Sequence, residues 1–195
     1  MKYTLFLLAL AGLLSCTSRG NVSFSQTQEM TGSDTTFQAT DYDAMFEDVK
    51  TAQYTLAALI KMDPNLSTFA VMIEQADLTA ALAEETSLTL FAPTNEAFAS
   101  WPQDSVNMLM KPEYRAQLIR LLQAHMLLRQ ADAASLSADP SIETSGGEYA
   151  AVTVNDDTVS VGGATIVKAN VRASNGILHV VDKVITPVES RLERY

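Results

Sequence analysis

The chain has 195 residues, with 13 Lys and Arg against 23 Asp and Glu, and a formal net charge of −10. That balance excludes nucleic acid as a partner, because a phosphate backbone demands a basic footprint. It also excludes direct docking on anionic lipid. Cys16 is the only cysteine, so no disulfide forms within the chain and apolar burial must hold the fold.

Lys2 is the sole charge before Arg19, and an apolar run from Leu5 to Leu14 follows it, broken only by Gly12. A positive start and a short apolar run are the pattern of a signal peptide, here over residues 1–15. The run is too short to span a bilayer, which takes about twenty apolar residues. It ends in Leu13-Leu14-Ser15-Cys16, which resembles the bacterial lipobox. The resemblance implies cleavage before Cys16, a diacylglyceryl thioether on its sulfur and acylation of its freed amine. Two or more chains hold a protein stably where one holds it only marginally. Loss of Lys2 with the leader leaves 12 basic against 23 acidic side chains, a formal −11. Thr17 and Ser18 follow the cysteine without an Asp, so inner-membrane retention is not signalled and the destination is the outer membrane of a cell that has one. Residues 16–41 are thus expected to be the lipidated cysteine and a polar tether rich in Ser, Thr, Gln and Gly.

Globular character begins near Tyr42. From Met45 to Ile60 apolar residues recur at helical intervals (Met45, Phe46, Val49, Leu56, Leu59, Ile60), and Asp63-Pro64-Asn65 breaks the run. Residues 66–82 read as a second helix, with Phe69, Met72, Ile73 and Ala76 on one face and Ser67 or Thr68 as its cap. Leu88 to Ala92 reads as a buried strand that Pro93 stops. Thr94 or Asn95 then caps a turn of helix carrying Ala97 and Phe98. Trp101, before Pro102, is an aromatic available for packing or as a partly exposed anchor. Residues 113–128 form the clearest helix, with Leu118, Leu121, Leu122 and His125 on one face.

Beyond Pro140 the pattern turns to strands. Gly146-Gly147 marks a turn, and Ala151–Val154 and Val159–Val161 flank Asn155-Asp156-Asp157-Thr158 as a hairpin with one buried face. The Asn-Asp-Asp run has oxygen ligands for Ca²⁺ but lacks the spaced carboxylates of a loop site, and it reads as the hairpin turn. Gly162-Gly163 makes the next turn, followed by strands at Ile166-Val167, Val171 and Ile177–Ile185. Asn175-Gly176 is a turn dipeptide suited to positive φ. Alternation in the last strand sets Ile177, His179, Val181 and Lys183 against Leu178, Val180, Asp182 and Val184. His179 or Asp182 must therefore find a polar partner if buried.

Two segments carry a resemblance. Leu88-Thr-Leu-Phe-Ala-Pro-Thr-Asn-Glu-Ala-Phe98 and Ala173-Ser-Asn-Gly-Ile-Leu-His-Val-Val-Asp-Lys-Val-Ile-Thr-Pro187 resemble the two signature blocks of the fasciclin domain, in that order. Between them, Leu121-Leu122-Gln123-Ala124-His125-Met126-Leu127 is similar to the family's central helix and histidine, and Glu143-Thr144 and Gly162–Val167 also fit. The resemblance implies an α+β fold: a single fasciclin-like domain over residues 42–189, its β-strand wedge or sandwich packed with N-terminal helices, then a charged tail at 190–195.

On the family-motif positions, His125, Asn175, His179 and Asp182 are the candidate binding residues, beside Cys16 for lipidation; the alternative is a buried His125 hydrogen-bonded to backbone and structural roles for His179 and Asp182. The family often has Tyr before the histidine, a pair linked to receptor binding in animal proteins. Ala124 stands there in this chain and weakens that carry-over. No catalytic residue is expected: a Ser-His-Asp set can be assembled on paper, yet no G-x-S-x-G elbow is present and the family is not known for hydrolysis. Two lone histidines give no zinc pattern, and no metal or cofactor is expected. The functional expectation is a membrane-anchored extracytoplasmic binding or cell-adhesion module, monomeric, recognising a protein or polysaccharide at the cell surface. The alternative is a carrier of a small apolar ligand or an envelope accessory protein, suggested by eight methionines and apolar helices.

Overall fold

A computed structural model describes residues 40–156 and 158–186. The leader, Cys16, the tether through residue 39 and the tail at 190–195 lie outside the described residues. Thr40, two residues before the expected domain start, already donates to the Glu96 carboxylate at 2.8 Å.

The helix expected from residue 45 starts later. Residues 42–49 form turns, with Phe46 at φ 65°, a left-handed value that no α-helix tolerates. α1 runs Leu56–Met62, and Thr55 caps it by accepting the Ala58 N–H at 3.3 Å. Asp63 caps the 3-10 turn Pro64–Leu66, and α2, Ser67–Gln75, follows. The expectation that Ser67 or Thr68 caps α2 is corrected. Asn95 does so from a distant loop, its Oδ1 accepting the Thr68 N–H and its Nδ2 donating to the Pro64 carbonyl, each at 2.9 Å. The single helix read over residues 66–82 is also corrected. It breaks at Asp77, φ 55°, where the Leu78 N–H reaches back to the Ile73 carbonyl and the Asp77 N–H to that of Glu74. That is a Schellman ending with Asp in the position glycine usually takes, and α3, Thr79–Glu84, starts anew.

β1, Leu88–Pro93, is buried along its whole length and leads into α4, Asn95–Ala99, which Thr94 caps. After α5, Gln103–Leu109, comes α6, Arg115–Ala124. The helix expected to 128 stops at Ala124, because Met126–Leu127 pair with β1 as the short strand β2. α7, Ala133–Ala138, was not anticipated, although Asp132 and Ser135 form a reciprocal capping box at its start. The strands then run β3 Ser141–Glu143, β4 Tyr149–Asn155, β5 Thr158–Val161, β6 Ala164–Ala173 and β7 Gly176–Val181.

These seven strands form one sheet in the order β2-β1-β7-β6-β5-β4-β3. Every pairing is antiparallel except β1 with β7, which is parallel, from Leu88 opposite Gly176 to Pro93 opposite Val181. The two ends of the order approach each other. In the β3–β4 turn, Ser145 donates its N–H to the Met126 carbonyl at 2.8 Å and its hydroxyl to the Gln123 carbonyl at 3.1 Å. The sheet is therefore nearly closed on itself, and the architecture is the expected α+β one.

Side chains alternate across β1 and β7 and feed two apolar clusters. Leu88, Leu90, Ala92, Leu178 and Val180 meet Leu56, Phe69 and Met72 of the helices. Phe91 and Val181 meet Leu136, Ile142, Val161 and Ile185 on the other side. The β4–β5 hairpin joins that second cluster only at its base. Val152 and Val161 are buried, but Val154 is 48% exposed, so the expected buried face ends halfway along.

The expected Asn175-Gly176 turn is corrected: the turn falls on Ser174-Asn175, Gly176 is already the first residue of β7, and neither Asn175 nor Gly176 has positive φ. Glycine is required there by space. A Cβ on Gly176 would sit 2.2 Å from the Leu88 carbonyl oxygen and 2.9 Å from Leu56 Cδ1. Gly163 is the reverse case, with φ +81° and nothing within 4 Å of a built Cβ. Gly176→Ala is thus expected to lower stability by about 3 kcal/mol, the upper range of overpacking. Gly163→Ala should cost about 1 kcal/mol, a backbone term alone. Urea unfolding midpoints of the two variants check the order.

Candidate functional site

His125 follows α6 as its C-cap and is fully buried, its ring 5.7 Å from that of Phe69. Nδ1 lies 2.8 Å from the Leu121 carbonyl, and Nε2 accepts the Ile185 N–H at 2.9 Å. A carbonyl can only accept and an N–H can only donate, so the ring is the neutral Nδ1–H tautomer. Its own carbonyl accepts the Phe91 N–H at 2.9 Å. One residue thus joins the end of α6, the middle of β1 and the segment after β7. Burial pushes its pKa down to about 4, against the pull of the Leu121 carbonyl.

His179, in the centre of β7, is equally buried and stacks on Phe91 of β1, ring centroids 5.6 Å apart. Its Nε2 donates to the Ala131 carbonyl at 3.0 Å, and its Nδ1 accepts the Asn170 N–H at 3.4 Å. Thr89 works beside it, donating to the Arg129 carbonyl at 2.7 Å and accepting the Ala131 N–H at 2.8 Å. Together they hold the 129–131 loop against the sheet. Burial lowers the His179 pKa, opposed by the Ala131 carbonyl and the charge of Asp132.

Asn175, also buried, accepts the Leu56 N–H at 2.9 Å and donates to the Leu82 and Glu85 carbonyls at 2.6 and 3.1 Å. It ties the start of α1 to the end of α3. Asp182 lies just past β7, half-buried, and its Oδ1 accepts the Thr165 N–H at 2.6 Å. The four expected binding residues therefore do not converge on one exposed site. Each joins separate parts of the backbone, and Cys16 lies outside the described residues. Trp101 is partly buried and packs on the helical core.

Among the accessible features, two border the β3–β4 turn. Leu128 is 67% exposed beside β2 and shares one shallow depression with Glu143, Thr144 and Ser145. Tyr149 is 63% exposed at the start of β4 and borders a second, with Ala124, Thr144, Glu148, Ala150 and Ile185. Sequence periodicity had no means of selecting Leu128 or Tyr149, since an apolar residue at a strand end looks the same whether it faces in or out. Among the described residues no group of three or more Asp, Glu or His side chains is placed to hold a metal ion.

The fasciclin domain pattern matches residues 64–187. The chain belongs to the fasciclin-domain family. This fasciclin domain is 36% identical to protein sll1483 of Synechocystis over 133 residues, 68% of this chain and 73% of that protein. It is 29% identical to human periostin and 28% to the pig transforming growth factor-beta-induced protein ig-h3. Those matches take in 66% and 71% of this chain but only 15% and 20% of those proteins. Among solved structures, a FAS1 domain pair from the insect cell adhesion molecule fasciclin I matches with a TM-score of 0.47 and 22% identity, over 61% of this chain and 44% of that one.

Two measurements test the structural roles. Asn175→Asp keeps the acceptor for Leu56 but turns a carboxylate oxygen toward two carbonyls. It should cost about 3 kcal/mol in denaturant unfolding, the scale of an unsatisfied buried charge-bearing group. The histidines set a pH dependence. Their folded pKa values lie below the unfolded one, so between pH 6.5 and about 4 the unfolded chain takes up protons that native His125 refuses. Stability from this source is complete above pH 6.5 and falls as pH drops toward 4, by about 3 kcal/mol for His125. Unfolding curves of the wild type and His125→Gln across that range check it: the variant starts less stable at pH 7.5 and loses less on acidification.

Proposed function

We propose that this chain is a non-catalytic binding module, exported, lipid-anchored through Cys16 and attaching a cell envelope to a protein or polysaccharide partner. The observation that carries this reading is the commitment of both imidazoles to backbone groups. No histidine is left as a general base or nucleophile activator, and solvent meets contact surface instead. Membership of the fasciclin-domain family supports it, as does the lipobox-like Leu13–Cys16 segment. Of the methionines that motivated a ligand carrier, Met45 and Met72 fill the core, while Met126 lines a small apolar pocket with Leu78, Leu82, Leu88 and Leu128, which keeps the carrier as the second reading.

Cell fractionation and an attachment assay test the proposal in the cell that makes the protein. Cys16→Ser should move the folded domain from the membrane to the soluble fraction. Deletion of the whole chain should reduce attachment or biofilm mass several-fold. Undiminished attachment after deletion would refute the adhesion reading, and continued membrane retention of the serine variant would refute the anchor.

A further inference from the structure

Glu148 stands out among the polar groups. Its Oε2 is shut off from solvent and has no hydrogen-bond partner, the only such side-chain atom found among the described residues. Its backbone is held rigidly: the Glu148 carbonyl accepts both the N–H and the hydroxyl of Thr144, at 2.8 and 3.1 Å, across the Gly146-Gly147 turn. The side chain borders the shallow pocket behind that turn. The floor is small and apolar, made by Ala124, Ala150 and Ile185, and the exposed ring of Tyr149 stands at the edge. His125 fixes this floor, since it follows Ala124 directly and accepts the N–H of Ile185. No Lys or Arg among the described residues forms an ion pair with Glu148.

We propose that this pocket binds a lysine or arginine side chain of a partner protein, with the Glu148 carboxylate as counter-ion and the Tyr149 ring as a face for the cation. The inference rests on the binding-module reading and names the partner chemistry for it. Glu148 as a whole is only half-buried, so its side chain can turn the unpartnered oxygen toward a donor in the pocket, and a cationic donor satisfies both its charge and its lone pairs. The exposed Tyr149, bordering the same pocket, offers a cation the negative face of its ring. The acidic chain as a whole, at a formal −10, raises the local concentration of such a partner. A neutral polysaccharide offers hydroxyl donors but no charge, so it fits the site less well.

The test uses the full chain, isotope-labelled, and a lysine- and arginine-rich octapeptide as probe. Titration should shift the backbone amide signals of Thr144, Glu148, Tyr149 and Ala150 in a saturable way. Binding should fall at least ten-fold with the lysine-acetylated, citrulline-substituted peptide, and equally in Glu148→Gln. Tyr149→Ala should weaken it several-fold, while the remaining spectrum stays that of the folded domain. Equal binding by the neutralised peptide, or undiminished binding by Glu148→Gln, overturns the proposal. So does a response to a neutral oligosaccharide alone. Binding that emerges only after residues 187–195 are removed also overturns it, in favour of the chain's own Arg191 or Arg194 as occupant. Cells carrying Glu148→Gln separate this inference from the function it rests on. Full attachment by those cells, with attachment lost on whole-chain deletion, sinks the pocket and leaves the adhesion reading standing.

Discussion

The parallel pairing of β1 with β7 is the contact on which the rest of the domain depends. It joins residues that stand far apart in the chain, Leu88 opposite Gly176 and Pro93 opposite Val181, and every residue in both strands is buried. A parallel pair has no hairpin to bring it together, and here residues 94–175 form the connection between its strands. That connection carries four of the seven helices and five of the seven strands. Helices α1 to α6 pack mainly on one face of the pair, and α7 joins the hairpins on the other. The pair can be this close only because residue 176 has no side chain where the Leu88 carbonyl passes. One glycine thereby lets the start of β7 lie against the start of β1.

A strand pair buried on both faces has no water with which to satisfy polar side chains, so each polar group in or beside it must bond within the protein. Thr89, Asn175, His125 and His179 do this with backbone partners, and nearly all those partners belong to loops or helix ends. The result is a set of pins between the seam and segments that would otherwise fray: the 129–131 loop, the junction of α1 with α3, and the stretch after β7. The same arrangement explains why the two histidines are chemically quiet at neutral pH. A ring with one nitrogen donating to a carbonyl and the other accepting an N–H cannot take a proton without losing a bond and acquiring an unsolvated charge. Their acid lability and their lack of reactivity have one cause.

Much of this was legible in the sequence, and the failures share a physical origin. The β1 block, the Thr94 cap, the Leu118–Leu122 face, the hairpin strands and the glycine turn at 162–163 all follow from local chemistry, and local chemistry settled them. The errors arose where a distant partner overrode a local preference. Asn95 displaced Ser67 and Thr68 as the cap of α2. Asp77 ended that helix in a left-handed conformation that glycine would have advertised. β1 drew Met126 and Leu127 out of an otherwise plausible helix. Gly176 looked like a turn glycine because its actual constraint, the Leu88 carbonyl, is 88 residues away in sequence. Motif positions drew attention to His125, Asn175, His179 and Asp182, with a binding and a structural reading for the histidines and Asp182, and in the fold each of the four bonds to backbone groups. Glu148 and Tyr149 carried no local signal, since their interest comes from what the three-dimensional arrangement leaves unsatisfied or uncovered.

On the proposed reading, recognition and architecture are separated in this domain, and the separation has a functional logic. The family-motif residues act inward and keep the seam in register, and the β3–β4 turn that closes the sheet is fastened to β2 and α6 through Ser145. A turn held that firmly can present Leu128, Glu148 and Tyr149 with little ordering cost on binding. A shallow site with one carboxylate and one aromatic ring still gives only weak affinity by itself. Confinement to a membrane by the proposed lipid changes the arithmetic. Many copies on one surface meet many partners on another, and each contact made raises the effective concentration for the next. Weak, rapidly exchanging contacts then sum to firm but reversible attachment. Under that regime a rigid presenting turn and a dense anchored array matter more than the affinity of any single pocket.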